Sequence, residues 1–132
     1  MHMLMCKDDG ILAAGLRRLA SYLSQYYRIT VVAPANEQSA KSHALTTEIP
    51  LKLDAYNGED ENPRLYALTG TPSDCMKFGL SYLLIDDMPD LVISGINHGF
   101  NLGSDVLYSG TVSDAMESCF YGIPGLALSF ER

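Results

Sequence analysis

The sequence is short of positive charge. Nine Lys and Arg stand against sixteen Asp and Glu, which leaves a formal charge of −7 over 132 residues. Recognition of a nucleic-acid duplex through a broad basic face needs clustered Lys and Arg, so that mode is excluded. A small phosphorylated partner is not excluded, because a bound divalent cation reverses the local sign of the field. Cysteine is sparse as well. Cys6, Cys75 and Cys119 are odd in number, far apart and without a Cys-x-x-Cys pair. This disfavours a disulfide scaffold or structural zinc site and suits a reducing compartment. No apolar run reaches membrane length, and the opening stretch to Cys6 stops at Lys7-Asp8-Asp9, too short for a signal-peptide core. Internal repeats and low-complexity tracts are also lacking. A cytoplasmic protein without membrane association is the expectation.

What is present is a core. Hydrophobic residues make up 47% and charged residues 19% of the chain, a balance that predicts one compact domain over residues 1–132. Such a chain buries about two-thirds of its unfolded surface. Short apolar runs alternate with helical patterns. Residues 2–6 predict a strand ending in an acidic turn. Leu12, Leu16, Leu19, Leu23 and Tyr26 recur at helical spacing, with Tyr26-Tyr27 packing the helix end on the sheet. Ile29 to Ala33 is β-branched and closes at Pro34, the pattern of a buried strand. The acidic run Glu59-Asp60-Glu61 before Pro63 reads as a solvated loop, while Leu51 and Leu53 alternate with charge as a weak strand. Leu65 to Leu68 predicts another strand, and Thr71-Pro72-Ser73-Asp74 a helix start with Thr71 as N-cap. Leu91 to Ile93 predicts a third buried strand ending at Ser94-Gly95. Val112, Ala115, Met116 and Cys119 mark a last helix, with Cys75 and Cys119 as core residues, and Leu126 to Leu128 a last strand. Alternation of this kind predicts an α/β fold with a Rossmann-like, doubly wound, mostly parallel sheet and helices on both faces.

In such folds ligands sit at the carboxyl ends of strands, and three places there carry chemistry. Asp8 and Asp9 follow the first strand. Neighbouring side chains on a regular strand point to opposite faces, so the two carboxylates converge only if the chain leaves strand geometry, which Gly10 permits. Adjacent carboxylates repel unless a cation sits beside them, and oxygen donors select Mg²⁺, Mn²⁺ or Ca²⁺. The competing reading is a polar turn with one Asp as helix cap. The stretch from Ser94 to Gly103 supplies three glycines with Asn97 and Asn101, offering backbone N–H groups to an anion and carboxamides to a metal; a plain connecting loop is the alternative. Ser109-Gly110-Thr111 opens the last helix. Its free N–H groups, dipole and hydroxyls form either a phosphate seat or an ordinary cap. No Gly-Lys-Ser/Thr pattern follows, and the first turn lacks Gly-x-Gly-x-x-Gly, which disfavours nucleoside triphosphates and dinucleotides.

Taken in order, Asp8-Asp9-Gly10, Ala33-Pro34 with Ser39, Ser42 and Leu45-Thr46, Gly70-Thr71-Pro72-Ser73-Asp74-Cys75, Ser94-Gly95-Ile96-Asn97, Asn101-Leu102-Gly103, Asp105-Val106 and Tyr108-Ser109-Gly110-Thr111-Val112 resemble the survival protein SurE family of metal-dependent nucleotidases, also described as stationary-phase survival acid phosphatases. The resemblance implies hydrolysis of nucleoside 5′- and often 3′-monophosphates. It also implies one divalent ion, Mg²⁺ or Mn²⁺ (Ca²⁺ in a crystal), held by Asp8, Asp9, Ser39 and Asn97. Asp8, Asp9 and Asn97 are the expected catalytic set, with Asn101, Ser109, Gly110 and Thr111 expected to hold phosphate. A homodimer or tetramer is the family assembly, built partly by a further C-terminal segment that this sequence does not include.

Three departures from the family pattern bear on this expectation. Lys7 stands where the pattern has Asn, and its ammonium either helps hold phosphate or competes with the metal. Ala40 and Ala14 replace a usual Gly and Pro, and the sequence ends at Arg132. The mechanism expected is metal-assisted attack of water on the phosphomonoester, preferred over an aspartyl-phosphate, with His98 either a leaving-group acid or incidental. The alternative function is a truncated or impaired paralogue that binds metal or nucleotide without efficient turnover.

Overall fold

The β-sheet is built from strands whose alternate side chains feed two separate cores. In strand β1, His2–Cys6, all five residues are buried. Met3 and Met5 enter one core; Leu4 and Cys6 enter the other. Strand β2, Arg28–Pro34, does the same with Ile29, Val31 and Ala33 on the first side and Val32 on the second. This period of two is what a sheet covered on both faces requires. The structure, a computed structural model, describes residues 1–36, 49–98 and 110–130.

The remaining strands are β3 (Leu53–Ala55), β4 (Arg64–Leu68), β5 (Leu91–His98) and β6 (Gly125–Phe130). The sheet order is β3-β4-β2-β1-β5-β6, with only the short β3 antiparallel. The chain thus winds outward from β1 in one direction, then returns to its other side at β5. The point of reversal lies between β1 and β5, where a doubly wound sheet opens a crevice at its carboxyl edge. This is the Rossmann-like arrangement the sequence predicts.

Helix α1, Ala14–Leu23, covers the first core through Leu16 and Ala20. Helix α2, Pro72–Phe78, continues into a π-helical segment, Gly79–Leu83, and covers the second through Cys75, Met76 and Leu80. Its start is set locally: the Thr71 hydroxyl accepts from the Asp74 N–H, and the Asp74 carboxylate accepts from the Thr71 N–H. This reciprocal cap satisfies two of the donors a helix start leaves free, with Pro72 placed where no N–H is needed. Helix α3, Gly110–Cys119, packs beside α2 and against β5 and β6.

Four expectations need correction. Leu12 and Tyr26 keep the helical period but are exposed, because α1 begins at Ala14 and ends at Leu23. Tyr26 and Tyr27 contact each other at the surface instead of packing on the sheet. Strand β5 does not stop at Ser94-Gly95 but runs on to His98, with a register irregularity between Ser94 and Asn97. On α3, Met116 and Cys119 are exposed, and the buried side is Thr111, Ser113, Asp114, Ala115 and Ser118. Cys75 is buried as expected.

Candidate active site

The carboxyl end of β1 leaves strand geometry at Lys7. A turn closes there, with the Gly10 N–H donating to the Lys7 carbonyl at 3.2 Å and the Ile11 N–H to the Pro34 carbonyl at 2.9 Å. Gly10 adopts φ +97°, and a Cβ there would lie 3.1 Å from the Pro34 carbonyl oxygen. A side chain at this position is therefore strained twice over. The turn brings the Asp8 and Asp9 carboxylates to one place, which a continued strand would not.

Across the crevice, Gly95 in β5 has φ +131°, and a Cβ would collide with the Leu128 carbonyl of β6. The irregularity that Gly95 allows interrupts the β5–β6 register just before Asn97. The Asn97 carboxamide oxygen then faces the Asp8–Asp9 turn.

At the meeting point sits the ammonium of Lys7. Its Nζ donates to Asp8 Oδ1, donates to Asn97 Oδ1 at 3.0 Å, and lies 3.3 Å from Asp9 Oδ2. An ammonium has three donors, and here three oxygens on two strand ends surround it. Lys7 is only 1% exposed, so this is a buried charge held by two carboxylates and a carboxamide, not a surface ion pair. The donor set, all oxygen and dianionic, suits a hard divalent ion. The position those oxygens surround is filled by Lys7. Among the described residues no group of three or more His, Cys, Asp or Glu is placed to hold a metal.

Behind the turn lies a second polar group that the apolar periodicity did not reveal. Asp114 of α3 is fully buried, and the Ser94 hydroxyl of β5 donates to its Oδ2 at 3.3 Å. Burial pushes its carboxyl up to about 7, and the negative charge of Asp8 adds to this. Cys6, Ser94 and the Lys7 charge pull the other way. Burial also raises the Cys6 thiol. Asp114 Oδ1 and the hydroxyls of Ser73 and Thr111 are buried with no hydrogen-bond partner among the described residues. The spacing 111, 114, 115, 118 is a helical face, but it is made of small and polar residues, so a search for apolar residues passes over it.

Of the residues expected to form the site, the structure brings Asp8, Asp9 and Asn97 together around Lys7. Gly110 is the first residue of α3 and Thr111 is buried one position later. Ser39, Asn101 and Ser109 lie outside the described residues. His98 ends β5 and is exposed. Beside it an open groove of about 550 Å³ is lined by Ala14, Gly15, Arg18, Leu19, Ile96 and His98, among others. A hollow of about 640 Å³ lies at the other end of the strands, by His2, Tyr27, Arg28 and Asp87, away from the carboxyl edge.

A doubly wound sheet with paired aspartates and an asparagine at its switch point defines a Rossmann-like protein. The described fold closely matches the crystal structure of SurE protein from Aquifex aeolicus, with a TM-score of 0.87 and 42% identity over 98% of this chain and 50% of that one. Residues 3–132 match the family described as Survival protein SurE. The chain is 52% identical over 129 residues to a 5′-nucleotidase SurE of Thermoanaerobacter sp. (strain X514) and 54% identical over 132 residues to one of Synechococcus sp. (strain JA-3-3Ab). Each of these alignments covers 98% of this chain. The chain belongs to the survival protein SurE family. It spans about half the length of the curated relatives it matches. Among the described residues no helix is long and apolar enough to cross a membrane.

Proposed function

We propose that this chain carries the hydrolytic centre of a nucleotidase that releases phosphate from nucleoside 5′- and 3′-monophosphates, an acid-phosphatase-type reaction in the cytoplasm. The observation that carries the reading is the convergence of Asp8, Asp9 and Asn97 oxygens on one point at the switch point of the sheet. The name 5′-nucleotidase borne by relatives about half identical to this chain supports the substrate class.

In this reading Asp8, Asp9, Asn97 and Ser39 hold one divalent ion, Mg²⁺ or Mn²⁺. When bound, that ion supplies charge neutralisation of the phosphate and a more acidic water. The chain's own residues do the rest. The first turn of α3, Gly110 and Thr111 with Ser109 and Asn101 before it, receives the non-bridging oxygens through backbone N–H groups and hydroxyls. The groove lined by Arg18, Leu19, Ile96 and His98, next to Asn97 in sequence, is assigned to the nucleoside. A family-type homodimer or tetramer would complete the surround.

The test is phosphate release from AMP, GMP, 3′-AMP and p-nitrophenyl phosphate by purified protein in Mg²⁺, Mn²⁺ or EDTA, beside Asp8→Asn. Turnover that needs the metal and disappears in Asp8→Asn is expected. Equal turnover in EDTA and in Asp8→Asn would remove the basis for the reading.

A further inference from the structure

We infer that the Lys7 ammonium is a built-in occupant of the divalent-cation seat, so that this chain binds a metal there only by expelling its own side chain. The inference rests on the proposed role of Asp8, Asp9 and Asn97 as a cation seat and goes beyond it, because it concerns a residue that is not a metal ligand.

Three observations carry it. The ammonium makes its contacts with the same three oxygens that would ligate the metal, on Asp8, Asp9 and Asn97. Metal–oxygen distances in such sites are about 2.1 Å for Mg²⁺, so an ion bound by these oxygens needs the volume that Nζ fills. Lys7 is also buried to 1% exposure, so it cannot remain nearby in water while the ion enters. Finally, the ammonium satisfies the site chemically. Two carboxylates and one ammonium leave a local charge of −1, and the ammonium donates to Asp8 and Asn97 with the Asp9 carboxylate 3.3 Å away. A buried lysine without such partners would be costly; this one is matched. The sheet therefore holds its carboxyl edge together without a metal, at the expense of a vacant seat.

Expulsion requires the side chain to rotate away from all three oxygens and to carry its charge past the incoming ion. Removing that competition should tighten Mn²⁺ binding by about a hundredfold or more, the range that follows from breaking a buried, hydrogen-bonded ion pair. An asparagine or glutamine at position 7 removes the positive charge and returns an oxygen donor to the site.

The experiment is Mn²⁺ titration, followed by the loss of the free-ion electron paramagnetic resonance signal, of the native chain, Lys7→Asn, Lys7→Gln and Lys7→Asn/Asp8→Asn. Circular dichroism confirms folding of each. The expected result is weak binding by the native chain, binding about a hundredfold tighter in both single variants, and loss of that gain in the double variant. Equal affinity in native and single variants would overturn the inference and leave the proposed cation seat intact. No binding in any of them would overturn both. The native chain also decides alone, through acetylation of Lys7 read by mass spectrometry against exposed Lys52. Mn²⁺ bound to Asp8 while Lys7 stays as protected as before would overturn the inference even if neither single variant folds.

Discussion

Asp114 gives the fold a pH dependence of unusual sign for a carboxylate. Most native carboxylates are held below their unfolded values and stabilise the fold as pH rises. Asp114 lies fully buried beside Ser94, and burial raises its carboxyl from 3.8 to about 7. Below pH 3.8 both folded and unfolded chains carry the proton. Between there and pH 7 the unfolded chain gives it up while the folded chain keeps it, so stability falls as pH rises through this window. The dependence ends above the folded value. Each unit is worth about 1.4 kcal/mol, so the two units from pH 5 to pH 7 amount to about 3 kcal/mol from this one group. Asp114→Asn keeps the shape and removes the titration. Urea denaturation of both proteins at pH 5, 6, 7 and 8 isolates the effect, because groups not coupled to Asp114 cancel in the difference. The variant is expected to gain on the native chain by about 3 kcal/mol between pH 5 and 7, then to run parallel. A constant difference across the whole series would refute the account of Asp114 as a buried acid that keeps its proton.

Other outcomes follow from single contacts. Thr71→Ala removes half of the reciprocal cap on α2 and should lower stability by about 1 kcal/mol in chemical denaturation; a change below a few tenths would show the cap to be idle. Gly95→Ala drives a methyl into the Leu128 carbonyl at φ +131° and should cost more than about 2 kcal/mol, with protection from hydrogen exchange lost first in β5 and β6. A variant as stable as the parent would mean the close approach is wrong. Cys119 is exposed while Cys6 and Cys75 are buried, so a thiol reagent should modify one cysteine in the folded protein and three after unfolding. Rapid modification of two or more in the native state would contradict the burial described.

The sheet was legible because its strands are mostly apolar runs, two of them closed by Pro34 or by the acidic turn after Cys6, and because strand and helix patterns alternate along most of the chain. The capped start of α2 was legible for a local reason: Thr71, Pro72 and Asp74 specify it within four residues. The end of β5 was not. A glycine-rich polar stretch has the composition of a loop, and the strand carries on to His98 through pairing of Asn97 and His98 with Ser129 and Phe130 of β6. The face of α3 was hidden for the opposite reason. Apolar periodicity picks Met116 and Cys119, yet the helix turns its small and polar side, Thr111, Asp114 and Ser118, inward, with Asp114 set against Ser94 and Cys6. At the site, the sequence shows paired aspartates and an asparagine 89 and 88 residues beyond them, and family resemblance brings them to one place. That the Lys7 side chain turns back into their midst depends on the turn closed by Gly10, a three-dimensional fact with no sequence period.

One seat at the β1–β5 switch point is proposed to hold either Lys7 or a divalent ion. Crystals of Lys7→Asn and of the native chain, grown at one Mn²⁺ concentration and measured for anomalous scattering, test it most directly. A manganese peak within direct coordinating distance of oxygens of Asp8, Asp9 and Asn97 is expected in the variant, and Lys7 Nζ in that place in the native chain. Manganese bound at those oxygens in native crystals with Lys7 unmoved, or no peak there in the variant, would contradict it.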